Sequence, residues 1–324
     1  MLGNDSQNWN KNSINSDKVY YQLKDETLSE IKSEITSIRY RHINLNNIEQ
    51  EDFILNSFAT DVSRLRNQLD HETGILVITG LNYEDYNEHE LDLIYWCISN
   101  YLGRVFRQNM NGDKLGLVQA KHNKLGKKGA KYAETNLKLG LHTDCNWNEH
   151  RSCDYLGMFC NRPAQSGGTS QFFSGYSLYN EIMNYNPDYI TSLSKNFPFD
   201  ARSIRDKNKE IVNYPIFATE ENDLLVHYIN FFLEEGIKKT KINLTNTDHE
   251  ALDFIKNKLK SEKFIFEHHL EKGHIAYNNN RFILHDRTSF IDDAHKSKTR
   301  LMKRTWMWRR HLSPGIDPMN IQKD

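Results

Sequence analysis

Two histidines and an aspartate are the residues of this chain best suited to holding a transition metal. His142 and Asp144 lie two apart in LKLGLHTDCNWNEH, Leu137–His150. In an extended segment residues two apart share a face, so both side chains can reach one ion while Thr143 points away. His285 follows the apolar run Phe282-Ile283-Leu284 much further along the chain. Two imidazoles and one carboxylate make a facial triad suited to iron(II), with three positions left for co-substrate and O2. The His-x-acid pattern alone says little. With 14 His and 43 acidic residues in 324, roughly one or two such pairs arise by chance. The chain contains a rival, His269-x-Glu271, in a charged strand-end setting beside His268 and Lys272. His142 differs in following LKLGL and preceding an aromatic-bearing, turn-rich stretch.

Arg300 begins a further strand-like run about fifteen residues after His285. A co-substrate that chelates a metal through one carboxylate end needs a fixed cation at the other, and arginine offers a planar, permanently charged fork. Between the two halves lies SGGTS, Ser166–Ser170. Its glycines permit a tight turn, and Thr169 can offer a hydroxyl to the same carboxylate.

These pieces together make the chain similar to the TauD/TfdA family of 2-oxoglutarate dioxygenases. The spacing around Arg300 is nearest to the clavaminate-synthase-like amino-acid oxygenases. The matching motifs are HTD at His142–Asp144, GGT at Gly167–Thr169, NRFILHDRTSF at Asn280–Phe290 and RLMKR at Arg300–Arg304, in the family's order. The resemblance spans roughly Ile75 to Arg310. It implies a double-stranded β-helix, a jelly-roll barrel flanked by helices. It also implies that His142, Asp144 and His285 hold Fe(II), and that Arg300, helped by Thr169, binds the distal carboxylate of 2-oxoglutarate. Arg304, four residues on and so on the same side of a strand, is expected to take an anionic group of the primary substrate. Asn136, Asn146 and Trp147 are candidate pocket residues.

The expected reaction is hydroxylation of an unactivated C–H in a small amino acid or related carboxylate, consuming O2 and releasing succinate and CO2. The substrate is expected to be a small anionic or zwitterionic molecule. A carboxylate at 144 leaves no iron position for chloride, which favours hydroxylation over halogenation, while desaturation stays open. Two alternatives stand beside this reading: a metal enzyme on a similar barrel that does not use 2-oxoglutarate, and a non-catalytic metal-binding jelly roll. Two departures from the family pattern stand out. Asp286 occupies a position where relatives commonly have glycine, and Asp144 stands where the nearest relatives often have glutamate.

Short β-like runs position these residues: ILVIT from Ile75, LGLVQ from Leu115, YLGMFC from Tyr155, GTSQFF from Gly168 and LLVHYI from Leu224, then KFIFEHHL, HIAYN, RFILH and RTWMW. Short strands separated by turn residues argue for a sandwich or barrel, mainly β with flanking helices. Helix starts are marked by three capping-box patterns, Thr27 with Glu30, Asn87 with Glu90 and Thr247 with Glu250, the second helix ending near Gly103 and the third spanning about 247–261. Residues 1–16 are Asn/Ser-rich and expected to fray. Residues 17–324 read as one domain with a jelly-roll core from about 75 to 310.

Composition sets outer limits. The formal charge of −1 gives no global case for nucleic acid, and the basic run KHNKLGKKGAK, Lys121–Lys131, reads as a solvated loop. There is no apolar run long enough to span a bilayer and no signal-like start, so a cytoplasmic location is expected. Cys97, Cys145, Cys153 and Cys160 show no CxxC spacing and read as reduced thiols. No GxGxxG, GxxxxGK[ST] or GxSxG occurs, which leaves nucleotide-fold and hydrolase-elbow readings unsupported.

Overall fold

Apolar β-branched runs can be buried on both faces only where layers cover a sheet from both sides, and Ile75–Thr79 is such a run, buried in its first four residues. The computed structural model describes residues 2–108, 111–120, 134–144, 153–201, 210–220, 222–292 and 299–309. Asn146, Trp147, Cys145 and the basic run 121–131 lie outside the described residues.

The strands are, in chain order, β1 (Tyr20–Gln22), β2 (Ile75–Thr79), β3 (Arg104–Phe106), β4 (Gly116–Val118), β5 (Tyr155–Arg162), β6 (Ser166–Gly167), β7 (Ser170–Ser174) and β8 (Asn196–Asp200). They continue as β9 (Ile211–Pro215), β10 (Phe217–Glu220), β11 (Asp223–Val226), β12 (Phe266–His268), β13 (Ile275–Asn279), β14 (Ile283–Arg287), β15 (Phe290–Ile291) and β16 (Leu301–Trp308). The helices are α1 (Asp25–Arg41), α2 (Asn56–His71), α3 (Glu88–Leu102), α4 (Gly175–Tyr185), α5 (Asp188–Leu193), α6 (Asn230–Thr240) and α7 (Asn246–Lys258). None is long and apolar enough among the described residues to cross a membrane.

A seven-stranded sheet runs β1-β2-β13-β5-β16-β3, with β4 also pairing β16, and a three-stranded sheet runs β12-β7-β14. Period-2 alternation divides most of the large sheet's side chains between two larger cores, while Leu156, Trp306 and Trp308 form a smaller cluster with Phe106 and Cys153. Leu76, Ile78, Tyr277 and Met307 pack with α1, α2 and α3 on one side. Ile75, Val77, Ala276 and Met302 pack on the other, with Phe173 and Leu284 of the small sheet. The architecture is therefore mixed α/β with one large sheet, richer in helix than the strand runs suggested. Helices α4 and α6 escape a periodicity search because α4 opens on glycine and aromatics and α6 on Asn-Phe-Phe.

Three local expectations change. Residues 2–16 do not fray: Trp9 is 1% exposed and its indole N–H donates to the Thr73 carbonyl at 2.9 Å. The Ser177 hydroxyl donates to the Trp9 carbonyl at 2.6 Å, so a single large aromatic anchors an otherwise polar stretch. Thr27 does not cap α1. It lies within the helix, its hydroxyl 2.6 Å from that of Ser57. Helix α7 is capped two residues earlier than expected, by Thr245 and Asp248, a pair with the same spacing as Thr247 and Glu250. Asn87 and Glu90 do form the capping box of α3, which ends at Gly103.

Candidate metal centre

His142, outside the named strands, faces His285 of β14 across an isolated antiparallel bridge, His142 N–H to His285 O at 3.0 Å and His285 N–H to His142 O at 2.8 Å. Directly opposed residues of an antiparallel pair project from the same face. The two rings accordingly lie with centroids 4.4 Å apart. Thr143 turns the other way, its N–H donating to Tyr228 O at 2.9 Å and its hydroxyl to Val226 O at 2.8 Å. With Thr143 clamped there, Asp144 returns to the face of His142.

The backbone on either side is fixed as well. Gly140, at φ +97°, turns the chain so that its carbonyl meets His142 Nδ1 at 2.8 Å. A carbonyl only accepts, so Nδ1 carries the proton and Nε2 is the free donor atom. The Gly140 N–H donates in turn to Asp286 Oδ2 at 3.0 Å. That gives a structural place to the aspartate that departs from the family pattern. Asn280, 1% exposed, holds Asp144 from the other side. It accepts from the Asp144 N–H at 2.8 Å and donates to the carbonyls of Asp144 and Cys153 at 3.0 and 3.1 Å.

Asp144 Oδ1 lies 3.4 Å from His142 Nε2 and 3.8 Å from His285 Nε2. Metal bonds of about 2.1 Å at right angles separate neighbouring ligand atoms by about 3 Å. Two imidazole nitrogens and a carboxylate oxygen at these separations fit a first-row divalent ion after a small inward closure. This is the one group of three such residues with ligand atoms mutually within 4.8 Å among the described residues. The rival His269 and Glu271 are exposed. Burial pushes the Asp144 carboxyl up, but the Arg304 guanidinium and His142 hold it well below the usual carboxylate range. Burial, then the His142 charge, push His285 down to about 3. His142, which burial would also lower, is raised by its contact with Asp144.

Arg300 lies 4% exposed just before β16. Its guanidinium sits 5.1 Å from the Phe290 ring centroid and makes no hydrogen bond or ion pair with a side chain among the described residues. Burial and the neighbouring Arg287 lower it to about 10. Gly168 lies against it, and a Cβ there would come within 3.3 Å of Arg300 Nε. Thr169, next in the chain, is pinned by its N–H to Thr288 Oγ1 at 3.1 Å. Gly167 and Gly168 both adopt φ +73°, the left-handed turn that the SGGTS run requires.

Arg304 comes up against the triad itself. It reaches Asp144, Nη1 to Oδ2 at 3.2 Å, while its Nε is buried with no partner. Asn136 lies off the triad, its amide donating to Phe290 O at 3.4 Å. Arg287, unassigned from sequence, fixes that approach by donating to the Thr135 and Asn136 carbonyls at 2.6 and 3.3 Å. Trp306 was missed as well. Its indole N–H donates to Asp144 Oδ2 at 2.9 Å. Strand parity with Arg304 was the available signal.

The family described as taurine catabolism dioxygenase TauD, TfdA matches residues 15–306. A taurine hydroxylase-like protein SAT17 of Stachybotrys chartarum is 24% identical over 312 residues, covering 91% of this chain and 77% of the relative. FR-33289 synthase of Streptomyces rubellomurinus is 20% identical over 292 residues, covering 89% and 84%. Among solved structures, an asparagine oxygenase in complex with Fe(II), 3-hydroxyasparagine and succinate superposes with a TM-score of 0.69 at 14% identity, covering 90% of this chain and 94% of the other. The non-heme iron oxygenase OrfP with Fe and alpha-ketoglutaric acid gives 0.66 at 14% identity, covering 89% and 93%.

Proposed function

The chain belongs to the taurine catabolism dioxygenase TauD, TfdA family, and from that premise we propose that it is an Fe(II)- and 2-oxoglutarate-dependent oxygenase that hydroxylates a small amino acid or related carboxylate. The observation that carries this reading is Arg300, a buried guanidinium without a carboxylate partner among the described residues. Burying an unpaired cation is costly, so a site that keeps one is built for an anion that arrives with the ligand. We read the large sheet and the β12-β7-β14 sheet, with the triad between them, as the two faces of a double-stranded β-helix.

In this reading His142, Asp144 and His285 hold the iron. Arg300 pairs bidentately with the distal carboxylate of 2-oxoglutarate, and Thr169 adds its hydroxyl. Bound iron, 2-oxoglutarate and O2 supply the oxidant, so that R–H, 2-oxoglutarate and O2 give R–OH, succinate and CO2. The protein's part is placement and exclusion of water. Phe290, its ring centroid 4.5 Å from the Arg287 guanidinium and 5.1 Å from that of Arg300, would border the distal carboxylate. Arg304 Nε, buried and unpartnered, is a donor for an anionic group of the primary substrate. Two comparison proteins point the same way in substrate class, an asparagine oxygenase with 3-hydroxyasparagine and OrfP with (3S)-hydroxy-L-Arg.

The test is substrate-dependent succinate release across a panel of amino acids and sulfonates, with anaerobic Fe(II) and 2-oxoglutarate titrated in parallel. A charge-transfer band and coupled succinate from at least one amino acid are expected. No band with the intact protein would return the chain to a metal-binding jelly roll without this chemistry.

A further inference from the structure

Asp144 has two oxygens, and the structure gives them different neighbours. Oδ1 faces the two histidines, while Oδ2 accepts from Trp306 Nε1 at 2.9 Å and Arg304 Nη1 at 3.2 Å. The donors stand two apart on β16, so they share a face, and the Arg304 guanidinium stacks over the Trp306 ring at 3.9 Å. The side chains between and beside them point away, Thr305 meeting Tyr95 and Lys303 meeting Asp92 of α3. The ladder irregularity near this end of β16 falls between Leu301↔Arg162 and Met302↔Cys160, so the extra residue is Asn161 of β5 and β16 keeps its alternation.

Resting on the reading of His142, Asp144 and His285 as iron ligands, we propose that Trp306 is a positioning residue that acts with Arg304 to keep Asp144 a one-oxygen ligand. A free carboxylate can turn to chelate an ion through both oxygens, which takes a further coordination position. Two N–H donors on Oδ2 satisfy its lone pairs and fix the carboxylate plane, leaving Oδ1 alone toward the metal. The position saved is one that 2-oxoglutarate or O2 needs. Trp306, 3% exposed and supported by Phe106 at 6.2 Å, is the rigid half of this clamp, with a single donor and two side-chain torsions.

The experiment is Co(II) titration of the metal-free protein, followed by its visible spectrum, on the full chain and on Trp306→Phe and Arg304→Gln. Trp306→Phe keeps the ring and removes the one donor. Both variants are expected to weaken Co(II) binding roughly 10- to 100-fold, the size of effect that lost outer-shell partners have on metal affinity. The cobalt spectrum should shift toward higher coordination, while the metal-free Tm stays near that of the parent. Failure of the unaltered protein to bind Co(II) would remove the metal reading itself. Normal binding there with equal affinity and spectrum in Trp306→Phe would overturn the clamp and leave that reading standing. If Trp306→Phe lowers the metal-free Tm sharply, Arg304→Gln decides by the same criterion.

Discussion

Arg300 and Asp286 are side chains whose proposed work can be separated from their contribution to folding. For Arg300 the argument is the fork. Lysine would restore the charge at 300 but not two parallel hydrogen bonds, at a cost of about 2 kcal/mol for a charged contact. Arg300→Lys should therefore raise the KM for 2-oxoglutarate by roughly thirtyfold, and Arg300→Ala should abolish succinate formation. Succinate release against 2-oxoglutarate concentration measures both, and an unchanged KM in the lysine variant would mean that the distal carboxylate binds elsewhere. Asp286 acts at one remove, accepting the N–H of Gly140, whose carbonyl takes the His142 ring proton. Asp286→Asn keeps an acceptor of the same shape and Asp286→Ala removes it. Metal affinity should fall for alanine and hold near the parent value for asparagine; equal losses would point to the charge instead of the hydrogen bond.

Helix α7 offers the clearest electrostatic prediction among the elements. Burial pushes Asp248 up, but hydrogen bonds from Ser192 and from the Thr245 N–H bring it down to about 2. A carboxyl in an unfolded chain titrates near 4, so this group binds fewer protons folded than unfolded. Its contribution is present above pH about 4 and is lost as the pH falls toward 2. Asp248→Asn should lower the Tm at pH 7, by an amount on the order of 1 kcal/mol in stability, and the gap to the parent should narrow between pH 4 and 3. Thermal unfolding at the two ends of that range checks it, and a constant gap would show that shape, not charge, carries the cap. The same helix marks the limit of what the sequence discloses about elements. Two overlapping Thr-x-x-acid patterns compete at its start, and the folded chain uses Thr245. At α3 the Asn87 and Glu90 motif and the observed cap coincide. Strand runs around 75, 155 and 283 were legible because their apolar periodicity is local. The opposition of His142 to His285, 143 residues apart, was suggested by motif order but is made by the ladder, as is the meeting of Trp306 with Asp144.

The two larger cores lie on opposite sides of one sheet, and the N-terminal residues belong to the core that also carries the small sheet. Composition pointed the other way, since an Asn/Ser-rich start has little to bury. What composition averages out is a single tryptophan. Trp9 fills a place beside Thr73 and α4, and its carbonyl and that of Gln7 accept from the Ser177 and Ser174 hydroxyls at the start of that helix. Trp9→Ala should leave a cavity and an unpaired Thr73 carbonyl, costing about 3–5 kcal/mol, a large share of the stability of an ordinary domain. The metal centre is held by other contacts, those of Gly140, Asp286, Asn280 and β16, none of which involves Trp9. The expected outcome is thus a marked fall in Tm with Co(II) affinity kept at a temperature where the variant is folded. If affinity and Tm fell together under those conditions, the N-terminal segment would have to be counted among the supports of the site, and the separation between its anchoring role and the ligand-bearing strands would be lost.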